Sequence, residues 1–175
     1  MFRWILALAL AGVVVGCSSP KVTFGADTGN PDWQEVEAPP PPAVRTQGLI
    51  PLDVPGTALR FGVDPASIRV GADRVVRYVV VATSSSGTVN AMYEGIRCEG
   101  GDVKVYARHN PNSGWVPATK VEWQALQSTP NSRHSLYIAR NGVCVGRGVN
   151  GNATQIVSDL RAPVANRFER GGVNR

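Results

Sequence analysis

The chain has 175 residues, 43% of them hydrophobic and 18% charged, with a formal charge of +5. That length sustains one hydrophobic core but not two, and the composition is that of a folded globular protein. A weak positive charge, without dense Lys/Arg clusters interleaved with aromatics, argues against nucleic acid as a partner.

Met1-Phe2-Arg3 supplies a small positive head, and Trp4 to Val15 is an apolar run. About a dozen such residues suit a signal h-region and are too few to span a bilayer. The run closes on Val14-Val15-Gly16-Cys17, small residues before a cysteine, which resembles a bacterial lipobox. Residues 1–16 therefore read as a lipoprotein-type signal peptide and Cys17 as the lipidation site. An ordinary signal peptide with a chance cysteine is the plainer alternative. Two or more acyl chains hold a protein stably on a membrane. By the sorting habit of such lipoproteins, Ser18 in the next position favours the outer membrane, facing the periplasm. Removing 16 of the 175 residues leaves 159 and, since Arg3 goes with them, a charge nearer +4.

Residues 17–47 read as the lipidated cysteine plus a tether rich in Gly, Asp, Asn and Pro, ending in Ala38-Pro39-Pro40-Pro41-Pro42. Four consecutive prolines have no backbone N–H and favour a stiff polyproline II rod, which would space the domain from the membrane. A single globular domain is expected over residues 48–163. Residues 164–175 are expected as a disordered basic tail, with contact to an anionic surface as the alternative.

Within the domain, Gly48 to Val54 and Leu59 to Val70 read as short extended pieces, bent at Asp64-Pro65. Arg74 to Thr83 carries β-branched and aromatic residues on both faces, the pattern of a central strand. Ser84-Ser85-Ser86-Gly87 turns the chain into a returning strand over Thr88 to Cys98. Glu99-Gly100-Gly101-Asp102 turns it again, into a third strand over Val103 to His109. After Asn110-Pro111-Asn112-Ser113-Gly114, the stretch from Trp115 to Leu126 reads as an edge piece. The period then changes. Ser132 is placed to cap a helix over Arg133 to Arg140, stopped by Asn141-Gly142. Asn152 caps a second helix over Ala153 to Ala162, with Ile156 and Leu160 on one face and Pro163 as terminator. The fold class is thus α+β: an antiparallel β-meander sheet with one or two short C-terminal helices packed on it. With Cys17 lipidated, Cys98 and Cys144 form an even pair in an oxidising compartment, too far apart for a redox CxxC. They are assigned to one disulfide, pinning the second meander strand near the end of the first helix.

No catalytic residue is assigned. His109 and His134 are the only histidines, and Ser84 to Ser86 is a turn cluster rather than a nucleophile elbow. Gly146-Arg147-Gly148-Val149-Asn150-Gly151 is formally GxGxxG, but too little chain follows for the second strand of a βαβ unit. It reads as a flexible loop. No cofactor and no metal-ligand cluster is expected. Tyr93, Glu94, Arg97, Trp115 and Trp123 are candidate surface contacts, although the aromatics also suit a small core. Glu94 is expected to pair with a nearby Arg across strands.

Several motifs together carry a resemblance. Asp32-Trp33-Gln34-Glu35 stands before the proline run, followed by Val63 to Ile68, Asp73 to Tyr78 and Ser86-Gly87. Tyr93-Glu94-Gly95-Ile96-Arg97-Cys98, Tyr106-Ala107, Trp115, Glu122-Trp123 and Leu136-Tyr137 follow before Cys144. In that order they resemble the cryptic neisserial protein 1-like family of small proteobacterial exported proteins. The resemblance rests chiefly on VVRY and YEGIRC and departs around Ser84-Ser85-Ser86 and in the tail. It implies export, one domain and paired cysteines, and adds no catalytic residue.

The functional expectation is an outer-membrane-anchored periplasmic lipoprotein with a non-catalytic binding or structural role. Its partners would be the membrane, through the lipid, and an envelope protein or peptidoglycan. The alternative is a cell-wall hydrolase using a carboxylate pair, for which Glu94 and Glu122 are the candidates.

Overall fold

The computed structural model describes residues 32–127 and 133–167. The lipobox, the expected cap Ser132 and the chain beyond Arg167 lie outside the described residues.

An eight-stranded antiparallel sheet forms the body of the molecule. Its strands are β1 (Ile50–Leu52), β2 (Arg60–Val63), β3 (Arg69–Val70), β4 (Val75–Thr83), β5 (Val89–Arg97), β6 (Asp102–Asn110), β7 (Gly114–Pro117) and β8 (Gln124–Ala125). The order is β1-β2-β4-β5-β6-β7, with β3 beside β4 and β8 beside β6. The expected meander is β4-β5-β6, and the bend at Asp64-Pro65 separates β2 from β3 as a 3-10 turn capped by Asp64. The stretch from Trp115 to Leu126 divides into two short strands on β6 rather than one.

β4 is buried along nearly its whole length because both of its faces are covered. Val76, Tyr78 and Val80 point with Ile96, Val103, Ile138, Ile156 and Leu160 into a core beneath the C-terminal helices. Val79 and Val81 join Ala91, Tyr93 and Ala107 in a second cluster on the opposite face. Alternation along one strand thus feeds two cores.

The C-terminal elements are α1 (Arg133–Ile138), a π turn over Ala139–Val143, the hairpin β9 (Cys144–Val145) and β10 (Gly148–Val149), and α2 (Ala153–Arg161). The first helix is shorter than expected. Its last turn widens, and Gly142 has helix-breaking dihedrals where a Cβ would meet Leu160 at 2.6 Å. Asn152 caps α2 as expected, its Oδ1 accepting from Gln155 N at 3.0 Å. The GxGxxG stretch makes β10 and the turns around it. Cys98 and Cys144 are bonded, with Cα atoms 5.6 Å apart, joining the end of β5 to the chain just past α1.

The domain boundary requires correction. The later part of the expected tether is packed along the sheet face opposite the helices. Trp33 Nε1 donates to Asp73 O at 2.8 Å, and Val36 N donates to Asp73 Oδ2 at 3.0 Å. Arg77 Nη2 donates to Val36 O at 2.8 Å, and Trp115 Nε1 donates to Pro42 O at 2.7 Å. Ala38, Val44 and Leu49 pack on the second cluster. The physical reason is that a proline rod has exposed carbonyls and apolar rings, which an aromatic shelf satisfies together. Residues 33–47 therefore belong to the domain as a strap. The other boundary shifts too, since Val164–Asn166 forms a 3-10 turn instead of the start of a tail.

Candidate functional site

Three strands and one helix bring a polar cluster into the helix-side core. Tyr78 on β4 and Glu94 on β5 are directly opposed, on the face that α1 covers. Tyr78 OH donates to Glu94 Oε2 at 2.9 Å, and Ser135 Oγ donates to the same oxygen at 3.0 Å. His134 Nε2 lies 2.9 Å from Glu94 Oε1. The imidazole is stacked on Phe61 of β2, rings 4.9 Å apart and 9° from parallel. Glu94 is only 1% exposed. Burial by itself would raise its carboxyl, but the electrostatic interaction with His134 and the hydrogen bonds from His134, Tyr78 and Ser135 outweigh that and hold it below the usual glutamate range. Burial and the Glu94 charge together push the Tyr78 phenol well up.

Two cavities flank this cluster, and Met92, Arg108 and His134 line both. The smaller, about 210 Å³, is bounded by Glu94, Ser135, Lys120, Glu122 and Gln124. The larger, about 440 Å³, is bounded by Val54, Thr57, Leu59, Phe61, Asn90 and Arg133.

The opposite face holds a second polar cluster, around the strap. Glu35 accepts from Lys104 Nζ at 2.7 Å, Tyr106 OH at 2.8 Å and Trp123 Nε1 at 3.1 Å. Burial would raise the Glu35 carboxyl, yet these donors and the Lys104 charge keep it low. Asp73, bonded to Arg77 at 2.7 and 3.1 Å, is likewise held down against burial by that pairing and by the amides of Val75 and Val36. Tyr106 is a bulge residue: Ala107 faces Tyr93 and Val105 faces Glu94, leaving it unpaired. Gly95 makes the bulge possible, because a Cβ there would sit 2.8 Å from the Tyr106 ring and 2.8 Å from Val75.

The candidate contact residues separate accordingly. Tyr93, 3% exposed, lies under the strap against Tyr106 and Trp115, and Glu94 is sealed in the other core. Neither is a surface contact, because the central strand β5 is covered on both sides. Nor does Glu94 pair with an arginine; its partner is His134. Arg97 is paired with Asp102 at 2.5 Å and lies 4.5 Å over Trp33 and 5.7 Å over Trp123. Trp115 and Trp123 are half-buried and bonded to the strap. The carboxylates Glu94 and Glu122 do line one cavity, with Glu122 exposed. Tyr78, His134 and Ser135 are the functional cluster that sequence reasoning missed. They stand 16, 40 and 41 residues from Glu94, so no local pattern joins them. The strap carried a signal: Trp33, a large apolar side chain, is poorly suited to a solvated linker.

Among the described residues no group of three or more His, Cys, Asp or Glu side chains is placed to hold a metal ion, and no helix is long and apolar enough to cross a membrane. The CNP1-like family model matches residues 28–161. The chain belongs to that family. The family match begins upstream of Trp33 and so includes the strap as well as the sheet, the disulfide and the whole of α2. No curated protein and no solved structure matched the chain.

Proposed function

We propose that this CNP1-like protein is a lipoprotein held on the periplasmic face of the outer membrane by acylated Cys17, with a non-catalytic binding or structural role in the cell envelope. The anchor rests on the charged head, apolar run and lipobox of residues 1–17, and the Cys98–Cys144 bond is at home in an oxidising compartment.

The observation that carries the non-catalytic reading is the saturation of Glu94. Three donors converge on its two oxygens, and the carboxyl is held ionised. A glycosidic general acid needs the reverse, a carboxyl kept protonated by an apolar or like-charged setting. His134 Nε2 and Ser135 Oγ are both engaged by the same carboxylate and not by one another. The cluster ties α1 to the sheet and leaves the flanking cavities as binding space. A hydrolase is the second reading, favoured by Glu94 and Glu122 lining one cavity.

Incubation of the purified protein with peptidoglycan sacculi tests the two readings, with co-sedimentation and release of soluble fragments both measured. Release of fragments, abolished by Glu122→Gln, would replace the binding reading with the hydrolase. Without release, photocrosslinking in intact cells from position 120, at the cavity rim, identifies the envelope partner.

A further inference from the structure

The cavities around His134 carry a feature that the saturated cluster does not use. Arg108 stands on β6 opposite Met92 of β5 and beside Val116 of β7, on the helix side of the sheet. It is exposed and lines both cavities. Among the described residues no carboxylate lies within ion-pair distance of its guanidinium, whereas Arg77 and Arg97 are each paired. Lys120 and Arg133 add positive charge at the two ends, and Arg133 is steadied by Pro55 O at 2.9 Å. The one exposed carboxylate on the cavity walls is Glu122, confined to the smaller cavity.

The larger cavity has an apolar lining from Val54, Leu59, Phe61, Ala82 and Met92 beside the polar Thr57, Asn90 and His134. Leu59 is 38% exposed there, a large aliphatic group in water. A volume of about 440 Å³ is within the range of small-molecule sites, about 300–1,000 Å³, which pair an apolar lining with a few fixed polar groups. A planar guanidinium offers two parallel donors, the geometry that a carboxylate matches; of the two guanidinia on this cavity, Arg133 already donates from Nη1 to Pro55 O, and Arg108 has no such partner among the described residues. Those constraints select an anion with one charged end and an apolar body.

We propose that the larger cavity binds a small amphiphilic monocarboxylate, its carboxylate on the Arg108 guanidinium and its apolar body on Leu59, Phe61 and Met92. This names the ligand class of the binding role proposed above and rests on that reading. A fatty acid and the free C-terminus of a short apolar peptide share this chemistry.

Calorimetric titration of the full chain carrying Cys17→Ser tests it, with two probe pairs. Decanoate is compared with decanamide, and N-acetyl-Ala-Ala-Leu with its C-terminal amide. One or both acids should bind about tenfold or more tightly than the matching amide, as loss of a charge-assisted pair requires. Arg108→Gln should erase that difference, and Arg161→Gln, an exposed cation on α2, should leave it unchanged. Which acid binds identifies the source of the carboxylate. Equal binding of acid and amide, an acid preference that survives Arg108→Gln, or no binding of either acid at millimolar concentration would each overturn the proposal. Fragment release from sacculi, measured on the same preparations, reads the non-catalytic role separately, so either idea can fail alone.

Discussion

Glu94 is the residue whose replacement discriminates most sharply. Truncation to Ala strands Tyr78, His134 and Ser135 without their shared acceptor in a core that is nearly dry. Breaking a buried charged network by removing one partner costs about 3–5 kcal/mol, so denaturant unfolding of Glu94→Ala should show a loss of that size. Glu94→Gln preserves shape and one acceptor oxygen and should cost less, about 1–3 kcal/mol. The pH dependence follows from the sign of the shift. Glu94, Glu35 and Asp73 all have folded values below their unfolded ones. Their stabilisation is complete above the unfolded values, about 4, and is lost as pH falls through the lower folded values. Acid titration of the melting temperature should therefore drop steeply below about pH 4, with a shallower limb in Glu94→Gln. An unchanged limb would mean that Glu94 is not ionised in the fold.

At the scale of elements, the strap and the disulfide each close a face of the sheet. Residues 33–47 cover Tyr93, Tyr106 and Trp115, and the anchoring contacts fall at both ends, on Trp33 and Pro42. Limited proteolysis of the folded protein should spare residues 33–47; early cleavage among the prolines would show that the strap does not stay docked. Trp33→Ala removes the indole bond to Asp73 and the edge contact with Trp123, 5.7 Å away. Because Trp33 is only partly buried, the loss should be about 2 kcal/mol, below the 3–5 of a core aromatic. The disulfide closes a separation of 46 residues. Replacing both Cys98 and Cys144 with Ser should lower stability by about 2–4 kcal/mol, read as a shift in denaturant midpoint. No separate redox phenotype is expected, since the bond is packed in the helix-side core.

For the whole molecule, the docked strap changes how an anchored domain would sit. If Cys17 is acylated, only the chain from residue 17 to Trp33 separates lipid from folded protein, at most about 55 Å when fully extended. Cys17→Ser should move the protein from the membrane pellet to the soluble fraction and abolish acyl-chain incorporation. A variant that pellets as firmly as the parent would remove the lipid anchor from the proposed function.

Elements with a local cause are legible in the chain before it folds. The β-branched run Val75 to Val81, the turn at Ser84 to Gly87 and the cap at Asn152 each carry their own signal, in alternation, glycine or side-chain hydrogen bonding. The cysteine pair was legible because an even count and the expected oxidising compartment leave few options. Tertiary structure decided the rest, for a reason common to each case: the partners are distant in sequence. The proline segment reads as a spacer until Tyr106 and Trp115, brought to one face by the β5–β6–β7 register, give it a shelf. Glu94 reads as an interstrand ion-pair partner until α1 folds over β5 and supplies His134 and Ser135. Arg108 reads as one exposed strand residue among others, and only the packing of Leu59, Phe61 and His134 around it turns its face of the sheet into a cavity.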